Sequence, residues 1–101
     1  MKILVLGSAE MTAAFAMGGM DGRAVRDRAG LRAELEKCRR REEIGILVIE
    51  EKLARLEQDE IDRLKLDPQA PLIVEVPGFE GPLPERQTPL DVVRRALGIS
   101  L

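Results

Sequence analysis

Three short runs of apolar residues set the rhythm of this chain: KILVLG over 2–7, GILVIE over 45–50 and PLIVEV over 71–76. Each is rich in β-branched residues and bounded by Gly, Pro or charge. None alternates strictly with polar residues, and a continuous apolar strand is one buried on both faces, as in a parallel sheet between helices. Thirty-seven residues (8 to 44) separate the first two runs and twenty (51 to 70) the next two. Both intervals have room for the crossover helices that parallel strands require.

The intervals carry helical periodicity. Ser8 is placed to cap a first helix and Gly18-Gly19 to end it. Over 30–43, Leu31, Leu35 and Cys38 recur at i, i+4 and i+7, while Arg32, Glu36, Arg39, Arg40 and Arg41 point away. Over 51–66, Leu53, Leu56, Ile61 and Leu64 form a looser stripe, stopped by Asp67-Pro68. GRAVRD (22–27) reads as a short edge strand whose charges discourage pairing with another chain. The pattern predicts an α/β fold: a small four-stranded parallel sheet, order 2-1-3-4, flavodoxin- or receiver-like, with right-handed crossovers and flanking helices.

The character changes after Val76. PGFEGPLPERQTP (77–89) holds four prolines and two glycines, too many for a helix or a central strand. Thr88, Pro89 and Asp91 then suit the start of a helix, Leu90, Val93 and Leu97 stripe it, and Gly98 ends it. The expected organisation is an α/β core over 1–76, a Pro/Gly-rich hinge over 77–89, and a C-terminal helix and tail over 90–101. A hinge leading to an apolar-striped helix suggests a segment made to dock on its own domain or on another protein.

Composition narrows the chemistry. The chain has 101 residues, 34% of them charged, with a net charge of −2 and no His, Trp or Tyr. Nucleic-acid binding wants a basic excess or a stacking platform, and neither is present. Without His, the Ser-His-Asp and Cys-His nucleophile systems and the commonest metal ligand are missing. The run Ile3-Leu4-Val5-Leu6 stops at Gly7-Ser8 with Glu10 close behind, too short for a secretion signal, and no stretch reaches the length of a membrane span. A cytoplasmic protein without cofactor, metal or catalytic residues is expected.

Particular residues are read in the same way. Gly7 alone does not make the G-x-G-x-x-G of a dinucleotide turn, and Glu10 competes with a phosphate for the helix N-terminus. Receiver chemistry wants acids after the first strand and an Asp at the end of the third; here Ser8 and Glu50-Glu51 stand there. Glu50 and Glu51 read as the solvated start of a helix. Cys38 reads as a small buried hydrophobe, and Lys37, Arg39, Arg40 and Arg41 as a solvated helix C-terminus. Met11, Met17 and Met20 flank Phe15 and read mostly as core, while the adaptability of Met leaves part of the first helix able to face a partner.

Taken in order, KILVLGSAEMTAAF, AFAMGGM, GILVIEEKLA, PLIVEVPGFEGP and DVVRRALGISL cover nearly the whole chain. In that order they resemble the F subunit of the V/A-type ATPases, the rotary proton- or sodium-translocating ATPases and ATP synthases. The resemblance implies a non-catalytic central-stalk component, monomeric when isolated and peripheral to the membrane within the complex. It implies docking on the coiled-coil D subunit of the stalk, near the A/B hexamer, and modulation of ATP turnover. The residues expected at that interface are Met11, Phe15, Phe79, Glu80, Leu90, Val93 and Leu97. The competing reading is a free-standing receiver-like or nucleotide-sensing module.

Overall fold

In the computed structural model, which describes residues 1–79, the three apolar runs are strands β1 (Lys2–Gly7), β3 (Ile44–Glu50) and β4 (Leu72–Val76). A short strand, β2 (Asp21–Ala24), joins them. All neighbours pair in parallel, in the order β2-β1-β3-β4 that the spacing predicts. The edge strand starts at Asp21 and is exposed throughout. Val25, expected within it, lies past its end, where its N–H donates to the Gly7 carbonyl and its side chain is buried. Glu80, Leu90, Val93 and Leu97, and with them most of the expected hinge and all of the expected last helix, lie outside the described residues.

Helix α1 (Ala9–Met17) starts where the sequence places it. The Ser8 side chain accepts from the Met11 N–H at 3.2 Å, and Gly19, at φ 84°, makes the left-handed turn that leads out of the helix. Helix α2 (Arg28–Arg39) begins two residues earlier than the apolar stripe indicates, because Asp27 caps it by accepting from the Gly30 N–H at 2.8 Å. Removing that acceptor leaves the first-turn donors unsatisfied. Asp27→Ala is expected to cost about 1 kcal/mol and to lower the melting temperature by roughly 4–8 °C, readable by thermal denaturation.

The helix expected over 51–66 is broken. It runs as α3 (Glu51–Ala54), a 3-10 turn (Arg55–Glu57) and α4 (Gln58–Leu66). Glu57, at φ −136° and ψ 47°, leaves the helical region. Its carboxylate meets the guanidinium groups of Arg28 and Arg32 on α2. The Arg28 guanidinium, helped by Arg32, holds the Glu57 carboxyl below its ordinary value. The change of phase at this break turns Leu56 outward, 40% exposed, while Leu53, Ile61 and Leu64 stay in the core.

The two faces of the sheet are unequal. Leu4, Leu6, Leu47, Ile49 and Ile73 form one face, packed with Leu31, Leu35 and Cys38 of α2 and with Leu53, Ile61 and Leu64 of α3 and α4. The register sets Val5 beside Val48 and Val48 beside Val74 on the opposite face. There α1 lies over β1 and β2. The β4 part of this face is left open: Leu72 is 64% exposed and Val74 37%. The apolar run of β4 therefore does not report burial on both sides within the described residues.

Candidate interaction surface

The four strands end together at one edge of the sheet, and the turns that follow them surround a crevice of about 490 Å³. Ser8 comes from the turn after β1 and Glu10 from the first turn of α1, Arg26 from the turn after β2, Lys52 and Leu56 from the segment after β3, and Phe79 from that after β4. The crevice spans the point where the chain changes direction in strand order, between β1 and β3, the usual ligand position in a doubly wound sheet. Here it is occupied from within. Glu50, the last residue of β3, turns its carboxylate across to β1, and its Oε2 accepts from the Ser8 N–H at 2.9 Å. That N–H, at the start of α1, is one that an incoming phosphate would need.

Glu50 is half-buried, and Glu51 is only 4% exposed. The expectation of a solvated acidic helix start is corrected on both counts. Glu50 is engaged across the sheet, and Glu51, the first residue of α3, is buried with its Oε1 lacking a hydrogen-bond partner. Neither contact can be read from local sequence, because the partners of Glu50 come from turns distant along the chain. An acid ending a central strand at the change of strand order was the available signal.

At the crevice rim two large apolar side chains stand exposed among the charges of Glu10, Arg26 and Lys52. Phe79 is 69% exposed and Leu56 40%. Helix α1, AEMTAAFAM, carries a single charge, Glu10, and exposes Ala9, Ala13, Ala16 and Met17 along one stripe, Met17 at 93%. A helix so poor in charge is ordinarily covered. With Leu72 and Val74 on the same face of the sheet, it forms a step of helix beside bare apolar strand, the character of a protein interface.

The residues expected at an interface are placed unevenly. Phe79 is prominent at the crevice. Phe15 is half-buried beneath the outer stripe of α1. Met11 is buried, 3% exposed, with its sulfur against Gly7; it supports the surface from below, because the Ser8 cap turns that position of α1 toward the sheet. Leu56, Leu72 and Val74 are exposed against expectation, Leu56 because the break at Glu57 is tertiary in origin and the other two because a continuous apolar strand looked covered.

Cys38 is buried, as expected. Burial pushes its thiol up, with Glu34 adding to the effect and Arg41 opposing it. Alkylation of Cys38 by iodoacetamide is expected to be at least about a hundredfold slower in the native chain than in denaturant, a ratio that mass spectrometry measures directly. Elsewhere, Arg39 pairs with Glu36 and Glu60, and Arg41 with Glu43 at 2.8 Å. The basic end of α2 is thus neutralised by neighbouring acids. Among the described residues no helix is long and apolar enough to cross a membrane.

Comparison with known proteins gives the family of the chain. The family described as ATP synthase (F/14-kDa) subunit matches residues 3–93. The chain is similar to the F subunit of the A-type ATP synthase of Thermococcus kodakarensis, at 33% identity over 106 aligned positions that cover 100% of this chain and 98% of the relative. It is similar also to the F subunit of the A-type ATP synthase of Methanococcus aeolicus, at 30% identity over 103 positions, covering 100% and 99%.

Proposed function

The chain belongs to the ATP synthase (F/14-kDa) subunit family, and from that premise we propose that it is a non-catalytic central-stalk component of a V/A-type rotary ATPase or ATP synthase. In this reading it docks on the coiled-coil D subunit of the stalk, close to the A/B hexamer, and turns with it. It helps couple ATP hydrolysis or synthesis to proton or sodium transport, and it modulates the rate of ATP turnover. It acts from the cytoplasmic side as a peripheral part of the complex, monomeric when isolated and without a cofactor of its own.

The observation that carries the reading is the step of α1 beside bare β4, continued at the crevice by Leu56 and Phe79. Apolar residues at helical spacing on a coiled-coil partner would bury this surface, each large side chain contributing about 1.5–3 kcal/mol. The face under α2 and α4 is closed and keeps the body rigid, so a torque applied at the step is carried by the sheet. Phe15 with Met11 beneath it, Phe79 with Glu80, and Leu90, Val93 and Leu97 of the C-terminal segment are assigned to the interface. In this reading the Pro/Gly-rich stretch over 77–89 is the spacer between that segment and the body.

The test is a titration of the purified D subunit with this chain and with a version ending at Val76, alongside ATPase assays of the complex assembled with each. The full chain is expected to bind at one to one and to change the turnover rate, and the shortened one to lose affinity and modulation together. Full activity of the shortened chain would remove the C-terminal segment from the mechanism. Absence of binding by the full chain would remove the stalk assignment.

A further inference from the structure

Glu50 makes more contacts than a strand-terminal acid needs, and they tie together three separate pieces of chain. Its Oε2 accepts from the Ser8 N–H at the entrance to α1. Its Oε1 lies against Gly78, two residues past the end of β4, where a Cβ would stand 2.5 Å from that oxygen. The three atoms nearest to such a Cβ all belong to Glu50. Gly7 closes the other side, where a Cβ would stand 3.2 Å from Oε2. Because Gly78 does not have a positive φ, glycine is required there by space and not by backbone conformation.

We infer that Glu50 is a clasp that fixes the path of the chain out of β4, and is thereby a positioning residue for Phe79. The carboxylate seats against Gly78 while the α1 N-terminus holds its other oxygen. The next residue, Phe79, is then presented at the rim of the crevice instead of swinging free. The Ser8 N–H is a charge-assisted anchor of the kind a helix N-terminus offers any carboxylate, used here by the protein on itself. The clasp is a property of the free chain; its consequence for docking rests on the stalk reading above.

A chain with no Trp or Tyr allows a direct test. Phe79→Trp places a single indole at the rim, and amide exchange by NMR reports the Ser8 N–H. Gly78→Ala is the sharper probe, because its methyl collides with the movable end of the Glu50 side chain and not with backbone. It should leave the fold intact yet speed Ser8 exchange by about tenfold or more, seventy residues away along the chain. Glu50→Ala should do the same and raise acrylamide quenching of the indole. Glu50→Gln, which keeps an acceptor oxygen, should retain most of the protection and the low quenching.

Unchanged Ser8 exchange in both Gly78→Ala and Glu50→Ala would overturn the clasp. Faster exchange with no change in indole quenching would overturn its role in positioning Phe79. These readouts need no partner. When the chain with native Phe79 is titrated against the stalk's D subunit, Gly78→Ala should weaken binding, and little further once Phe79 has been replaced by Ala. If the parent chain itself fails to bind, the stalk reading falls while the exchange data still decide the clasp.

Discussion

Replacing Ile49 by alanine is expected to cost about 2–5 kcal/mol, a large share of the roughly 5–15 kcal/mol available to a domain of this size. Ile49 is fully buried in β3, between Leu6 of β1 and Glu75 of β4. Its side chain lies on the face closed by α2, α3 and α4. The strand is central and the face is sealed, so the lost methyl groups leave a cavity that neighbours cannot fill without moving a helix. Leu72→Ala is the control. Leu72 is 64% exposed on the other face, and the same truncation there should change stability by no more than about 0.5 kcal/mol. Urea titrations of the two variants give the comparison. Equal losses would mean that the two faces are equally closed, and the step assigned to the partner would not exist.

The second large effect is on association. Phe79→Ala should weaken binding to the stalk partner by about 2–4 kcal/mol, which is roughly 30- to 1,000-fold in Kd. It should leave the melting temperature almost unchanged, because the ring is 69% exposed in the free chain and so supports little of the fold. Leu56→Ala, at the same crevice and 40% exposed, should act in the same direction by a smaller amount. Calorimetric titration together with thermal melts separates the two quantities. A loss of affinity accompanied by an equal loss of stability would point to a structural role instead.

The fold was legible because its signals are local. Continuous apolar runs marked β1, β3 and β4; Ser8, Gly18 and Gly19 marked the ends of α1; Leu31, Leu35 and Cys38 marked the buried stripe of α2. What local sequence did not carry is what distant partners impose. Neither Gly nor Pro occurs between 51 and 66, and the helix breaks where Glu57 meets Arg28 and Arg32 across a gap in sequence of more than twenty residues. Glu50 looked like a solvated helix start until Ser8 and Gly78 were brought to it by the sheet. Of the exposed apolar positions, Phe79 was among those the resemblance led one to expect at a surface. Leu56, Leu72 and Val74 could not be, since hydrophobicity alone does not say which face of a strand or which turn of a helix stays uncovered.

In the proposed role the chain works in a rotor, held to a coiled-coil partner through the apolar step and the crevice rim. The measurement that bears on it most directly is native purification of the tagged chain from host cells that assemble a V/A-type ATPase, with the co-purifying chains identified by mass. Recovery of the coiled-coil stalk partner together with the A and B subunits is expected. All three should be lost when Phe79 and Leu56 are both replaced by Asp. Recovery of the chain alone, from cells in which the assembled ATPase is present, would contradict it.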